Sequence, residues 1–121
     1  MDPVTIVTAP AMVSALSAVF RKLNWTVRKP AKGGVHEIDI VVTDHAGNTY
    51  AIEAKEGIGE AHFASIAQVD RLATVTPILL TTQNVAPSIS KIAEKVGVEI
   101  VEAHGSADEI ADTVVKRLQD S

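Results

Sequence analysis

Residues 36–55 read HEIDIVVTDHAGNTYAIEAK, and both runs of strand-forming residues in this stretch contain charged side chains. Carboxylate oxygens are the ligands that Mg²⁺ and Mn²⁺ prefer. A lysine beside them can orient or deprotonate a water, or stabilise negative charge on a phosphorane. These residue types favour a divalent-cation site that acts on a phosphate group. The four side chains are Glu37, Asp39, Glu53 and Lys55.

The spacing of these residues predicts which of them meet. Side chains on a strand alternate between the two faces of a sheet, so residues two apart share a face. A hairpin centred on Ala46 places Asp39 opposite Glu53, and the same register places Glu37 opposite Lys55. Opposed Cβ atoms lie about 4.5–5.5 Å apart, and two opposed carboxylates repel each other. A cation bridging Asp39 and Glu53 would relieve this repulsion.

A simpler interpretation is a solvated outer face of the sheet. In that case Glu37 and Lys55 form a surface ion pair that contributes at most about 1 kcal/mol. This interpretation explains the alternation of charged and apolar residues, but not why a chain rich in helices would leave this face of the sheet uncovered.

The rest of the chain supplies the elements that position these residues. The periodicity predicts one domain over residues 1–121 with the order αβββαβαβα, which implies a mixed sheet with helices on both faces. The last helix begins with a capping box of Ser106 and Glu109. The helices are predicted at 10–23, 60–73, 86–97 and 106–119, and the strands at 24–29, 36–43, 49–55, 76–82 and 98–102.

The motif EID, followed by a hairpin and EAK, resembles the PD-(D/E)xK nucleases of the restriction-endonuclease-like superfamily. The resemblance implies an α/β fold with an αβββαβ core, here extended by a further αβα. The tail TPILLTTQNVAPSISKIAEKVGVEIVEA is similar to that of Mrr-like members, and small Holliday junction resolvases share the layout. The implied activity is metal-dependent endonucleolytic hydrolysis of DNA.

The resemblance also assigns roles to residues of the motif. Asp39 matches the metal-binding aspartate, Glu53 the second acid and Lys55 the catalytic lysine, with Glu37 as a further ligand and Mg²⁺ or Mn²⁺ as cofactor. Gln68 lies in the helix after the motif, where some relatives place a polar residue near the metal site, and its periodicity fits a solvated position equally well. Arg71 on the same helix is expected either to contact phosphate or to pair with a carboxylate. A compact nuclease of this kind is expected to act on DNA as a homodimer.

A basic segment precedes the motif. Five of the eleven basic residues fall within twelve positions that contain no acid, which favours contact with nucleic-acid phosphates. Cations near the end of a helix are the alternative explanation. Trp25 within this segment is expected to pack in the core or an interface rather than to stack on a base. The basic residues are Arg21, Lys22, Arg28, Lys29 and Lys32.

Composition limits the remaining function classes. The chain has no cysteine, which excludes disulfides, thiolate metal sites and a cysteine nucleophile. No apolar run reaches about 18 residues and the N-terminus has no basic leader, so a cytoplasmic protein without membrane contact is expected. The predicted first helix contains no acid and the net charge is −4. A non-catalytic nucleic-acid-binding or protein-interaction domain on the same fold is therefore the alternative, and RNA is the alternative substrate.

Overall fold

The structure is a computed structural model that describes residues 7–28, 38–56 and 75–120. Within these ranges the helices and strands follow the order predicted from the sequence. The helix predicted at 60–73 lies outside the described residues. The elements are α1 (Ala9–Lys22), β1 (Thr26–Arg28), β2 (Ile40–Thr43), β3 (Thr49–Lys55), β4 (Val75–Thr81), α2 (Pro87–Val96), β5 (Glu99–Glu102) and α3 (Ala107–Gln119).

The five strands form one mixed sheet in the order β1-β2-β3-β4-β5. β1, β2 and β3 pair antiparallel, whereas β3 pairs with β4, and β4 with β5, in parallel. A short turn joins the antiparallel strands β2 and β3, and the parallel half needs crossover connections, of which α2 is one. The predicted mixed sheet is confirmed.

Helices pack on both faces of this sheet. On one face Ile52, Ala54 and Leu80 contact the apolar sides of α1 and α3 in the larger core. On the other face Leu79 packs with Ala93 of α2 in a smaller core. β4 reads as a nearly continuous apolar run because it is buried on both faces. No helix in the described ranges combines the length and the apolar character needed to cross a membrane.

The helix ends agree with their sequence signals. Pro10 lies in the first turn of α1, and Thr8 caps that helix by accepting from the Ala11 amide. Gly97 ends α2 with φ of 78°, a conformation that glycine adopts without the Cβ clash. The predicted capping box of Ser106 and Glu109 is present at the start of α3.

Two strands begin at least two residues later than predicted. β1 begins at Thr26 rather than at residue 24, because Asn24 has a left-handed φ of 60° and its N–H bonds to Arg21 O in the turn after α1. β2 begins at Ile40, although residues from 36 onward alternate as a strand. Trp25 stacks on Phe20 with ring centroids 5.5 Å apart, so its predicted packing role is confirmed.

Candidate active site at the β2–β3 fork

The β2–β3 hairpin has the register predicted from the sequence. Ile40 pairs with Ile52 and Thr43 with Thr49, which corresponds to a hairpin centred on Ala46. Asp44 shapes the turn, because its Oδ1 accepts from Ala46 N at 3.0 Å and from Asn48 N at 2.9 Å. The sequence of the turn thus fixes which residues of the two strands face each other.

Asp39 leaves the regular ladder but stays attached to β3. Its N–H donates to Ile52 O at 3.1 Å, a bond shifted by one residue from the hairpin register. Its Oδ2 accepts from Ala54 N at 2.8 Å. The Asp39 carboxylate therefore accepts the Ala54 N–H, which in a regular ladder would donate to a backbone carbonyl of the neighbouring strand. Asp39 thus bonds to the two neighbours of Glu53 in β3, Ile52 and Ala54. It lies near Glu53, as predicted, but is not part of the regular ladder.

Glu53 lies in the middle of β3 and is only 3% exposed. Its Oε1 is 3.2 Å from Lys55 Nζ, and the exposed fractions of the two side chains are 4% and 27%. The two residues share a face of the strand because they are two positions apart. The burial of Glu53 contradicts the solvated-face interpretation. We call Asp39, Glu53 and Lys55 the β2–β3 fork.

A cleft of about 840 Å³ opens between α1 and two residues of the fork, Asp39 and Lys55, whereas Glu53 does not line it. Asp39, Lys55 and Glu56 contribute its charged residues on the sheet side. Its α1 wall consists mainly of small residues, with Ser14, Ser17 and Arg21 as the polar positions. We call this space the α1 cleft. It leaves Asp39 and Lys55 of the fork accessible from solvent.

The other predicted site residues divide into two groups. Of the basic segment, Arg21 lines the α1 cleft, whereas Lys22 and Arg28 are exposed and do not line it. The remaining predicted positions, Lys29, Lys32, Glu37, Gln68 and Arg71, lie outside the described residues. The sequence analysis missed the cleft serines. Their spacing from Arg21 by four and seven residues was the available signal, since it marks a single helical stripe.

The donor set of the fork fits a hard divalent cation. Among the residues that the structure describes, no three or more acids or histidines cluster closely enough to hold a metal alone. Mg²⁺ is commonly bound by one or two carboxylates, with waters and phosphate oxygens completing its octahedron. Asp39 and Glu53 supply two carboxylates at neighbouring points of the same strand pair, and the adjacent cleft admits water and phosphate.

No protein-family model and no curated protein sequence matches the chain. Solved structures do match. Can2 from Sulfobacillus thermosulfidooxidans in complex with cyclic tetra-adenylate has a TM-score of 0.64 and 10% identity over 92% of this chain and 36% of that one. An EndoMS–double-stranded DNA complex has a TM-score of 0.61 and 16% identity over 84% of this chain and 47% of that one.

A repair endonuclease from Pyrococcus abyssi matches with a TM-score of 0.55 and 18% identity, covering 74% of this chain and 45% of its own. The chain has a restriction-endonuclease-like fold. It spans less than half the length of each of these three structures. At this level of identity the likeness concerns the fold, and the chemistry must be argued from the fork itself.

Proposed function

We propose that this protein is a metal-dependent endonuclease that hydrolyses phosphodiester bonds in DNA, of the Mrr-like or junction-resolving type. The observation that supports it most is the fork: Asp39 is held beside Glu53, and Lys55 Nζ lies 3.2 Å from the Glu53 carboxylate at the edge of an open cleft. The fold similarity to a repair endonuclease and to a DNA complex of EndoMS adds support.

The two carboxylates of the fork are assigned to cation binding. Asp39 and Glu53 would hold Mg²⁺ or Mn²⁺, and Glu37 is proposed as a further ligand. When bound, the ion supplies Lewis-acid polarisation of a phosphate oxygen and a more acidic water. The Ala54 amide orients the Asp39 carboxylate before any ion arrives, because it fixes Oδ2 at 2.8 Å. Such preorganisation lowers the reorganisation needed on binding.

Lys55 is assigned to the reacting water and phosphate. Its ammonium is positioned by Glu53 and remains 27% exposed, so it reaches the cleft while one partner is already in place. A donor fixed in this way can orient the attacking water and stabilise the extra negative charge of the pentacovalent phosphorus. Because Glu53 already holds the Lys55 ammonium in place, this group need not reorganise when the charge on the phosphate increases.

The burial of Glu53 argues against a purely structural role for the ion pair. Removing a carboxylate from water costs several kcal/mol, and apolar replacement of such a pair is often neutral or stabilising. The pair also joins two residues of one strand, so it does not itself link separate elements of the fold. A functional requirement explains why a charged residue occupies this position.

The nucleic-acid path is assigned to the basic segment. Arg21 faces the cleft, and Lys22, Arg28, Lys29 and Lys32 are proposed to contact the phosphate backbone outside it. Gln68 and Arg71 are proposed as accessory positions. A homodimer would give two forks for two strands; sedimentation of the free protein tests this part of the proposal.

A second candidate is a non-catalytic nucleic-acid-binding or protein-interaction domain. The observation that favours it is the α1 wall of the cleft, which offers serines and an arginine but no carboxylate. With only two carboxylates assigned among the described residues, a cation would depend more on water and phosphate oxygens. Such a domain would bind DNA or a partner without metal-dependent turnover.

A cleavage panel distinguishes the two candidates. Linear duplex, four-way junction, single-stranded DNA and RNA are incubated with Mg²⁺, Mn²⁺ or EDTA. The nuclease proposal expects metal-dependent products from a DNA substrate with the wild type and with Asp44→Asn, which changes the exposed turn aspartate. It expects none with Asp39→Asn. Cleavage of RNA alone would reassign the substrate, and equal cleavage by Asp39→Asn would remove the fork from the mechanism.

A further inference from the structure

The α1 wall of the cleft presents a polar stripe that the proposed chemistry does not use. Ser14, Ser17 and Arg21 lie three and four residues apart, so they project from the same side of the helix. The stripe is adjacent to the apolar one formed by Met12, Leu16 and Phe20. Ser17 lies at the border of the two stripes, where it is both buried and in contact with the cleft.

The hydroxyl of Ser17 is the unusual group. Ser17 is only 9% exposed, and within the described part of the chain its side chain forms no hydrogen bond. A helical hydroxyl can bond to the carbonyl four residues earlier, as Thr113 does to Glu109 O at 3.0 Å. The hydroxyl of Thr81, a residue that is only 1% exposed, also has partners, Glu56 O and Gln83 N, both at 3.2 Å.

A buried hydroxyl without a partner is unfavourable, since its desolvation is not compensated by a hydrogen bond. Because Ser17 borders an open cleft, a ligand oxygen can supply the missing partner. Arg21 lies one turn further along the same stripe, and its guanidinium forms no ion pair with any carboxylate in the described ranges. A hydroxyl and a guanidinium together suit a phosphate oxygen pair.

We infer that Ser17 and Arg21 form a phosphate subsite that holds one phosphodiester of a nucleic-acid strand in the α1 cleft. This inference rests on the proposed function, which identifies the ligand as a nucleic-acid strand that passes next to the fork. Arg21 supplies the charge and Ser17 a short neutral donor. Both are positioning residues: they fix where the strand lies and do not touch the reacting atoms.

The position of Arg21 also gives it a role that needs no ligand. Arg21 is in the last turn of α1, where a cation interacts favourably with the helix dipole whether or not a phosphate binds. Lys95 occupies the same kind of position at the end of α2 and does not line the cleft, so it serves as a matched control. The cleft also contains two acidic residues, Asp39 and Glu56, so its overall charge alone does not explain phosphate binding.

The first test measures binding without catalysis. Labelled single-stranded and duplex DNA are titrated with the full chain in EDTA, where no cleavage can occur. We expect Ser17→Ala to weaken binding about tenfold or more, as for one hydrogen bond to a charged group. Arg21→Ala should weaken it at least as much and reduce the log–log salt slope by roughly 0.7–0.9. Lys95→Ala should leave affinity within about twofold.

The second test uses the double variant. If Ser17 and Arg21 hold the same phosphate, their effects on affinity are coupled, and the double variant weakens binding by less than the product of the two single effects. Ser17→Ala combined with Lys22→Ala should instead be multiplicative, because Lys22 does not line the cleft. A multiplicative result for Ser17 with Arg21 would overturn the shared subsite.

The third test measures the free protein. Ser17→Ala removes an unsatisfied hydroxyl, so we expect its melting temperature to rise by about 2–6 °C while DNA binding weakens. Ser14→Ala has the same gain in helix propensity but removes an exposed hydroxyl, and its melting temperature should rise less. Inorganic phosphate as a competitor distinguishes the source: weak competition fits a strand phosphodiester, and equal potency with DNA would mean a free-phosphate site.

The outcomes also separate this inference from the proposed function. DNA binding in EDTA with coupled Ser17 and Arg21 effects, but no cleavage with any metal, would support the subsite and refute the nuclease. Metal-dependent cleavage with unchanged binding in Ser17→Ala would support the nuclease and refute the subsite. Absence of any DNA binding by the wild type would overturn the subsite as well.

Discussion

Two ion pairs that include a strand residue differ in their burial and in whether they connect separate elements of the fold. Glu99 of β5 and Arg117 of α3 are 2.7 Å apart and substantially exposed, and they connect a strand to a helix. Glu53 and Lys55 are 3.2 Å apart, and the carboxylate is almost fully buried within one strand. The Glu99–Arg117 pair is at the surface, where solvent screens its attraction. The Glu53 carboxylate is buried, where the loss of its hydration is most unfavourable. The difference is consistent with the proposal that the fork serves chemistry rather than stability, because burying its carboxylate is unfavourable for folding.

The largest expected effect comes from breaking the buried pair. Lys55→Met keeps most of the aliphatic stem but leaves the Glu53 carboxylate buried without this ammonium. We expect cleavage to fall by about 10²-fold or more, as for removal of a preorganised charge-stabilising group. Stability should fall by about 2–3 kcal/mol, at or below the lower end of the range for a broken buried pair, because Lys55 is partly exposed. Urea unfolding and turnover are measured on the same preparation.

Two further variants complete the comparison of the ion pairs. Arg117→Met breaks the exposed pair and should change stability by less than about 1 kcal/mol, with cleavage unaffected. The double variant Glu53→Gln/Lys55→Met removes both charges of the pair and should recover stability without recovering cleavage. Recovery of both would show that the fork matters for folding alone.

The second prediction separates two aspartates of one hairpin. Asp39 and Asp44 both accept backbone N–H groups, the first at the fork and the second in the turn. Asparagine keeps a carbonyl acceptor for those bonds, so both Asp39→Asn and Asp44→Asn should remain folded. Only Asp39→Asn should reduce cleavage by about 10²-fold or more, because it removes a proposed cation ligand. Equal reductions in the two variants would indicate a role for the hairpin's stability instead.

The smallest expected effect is on the affinity for the part of the DNA that lies outside the α1 cleft. Replacing Arg28, Lys29 and Lys32 together by alanine should weaken binding of all DNA sequences about equally. Removal of each contact with a duplex phosphate should reduce the log–log salt slope by roughly 0.9. A control that replaces Lys91, Lys95 and Lys116 makes the same change in net charge on α2 and α3. An identical slope change in the control would mean that net charge, and not the segment, governs binding.

The sequence predicts the fold largely because its local signals agree. Turn chemistry around Ala46 determines the hairpin register, and the continuous apolar run of β4 indicates a strand covered on both faces. Pro87 and Gly97 mark the ends of α2 closely, since each has a backbone requirement that few other residues meet.

The site is predicted less completely, because its details depend on tertiary contacts. Alternation places Asp39 within a strand, but the aspartate side chain replaces a backbone partner at Ala54 N and ends the ladder. The burial of Glu53 depends on what covers β3, which periodicity within β3 does not specify. Ser17 is missed for the same reason: its hydroxyl gains significance only when α1 is packed beside the fork.

The proposed mechanism depends above all on cation binding by Asp39 and Glu53, and thermal unfolding in Mg²⁺ tests that binding without a substrate. A ligand that binds only the native state stabilises it by RT ln(1 + [L]/Kd), about 1.4 kcal/mol for a Kd of about 1 mM and about 10 mM Mg²⁺. The melting temperature should then rise by about 3–7 °C in the wild type. Sodium chloride at matched ionic strength controls for screening. Asp39→Asn and Glu53→Gln should abolish the rise. No rise beyond the salt control, or the same rise in both variants, would contradict cation binding at the fork.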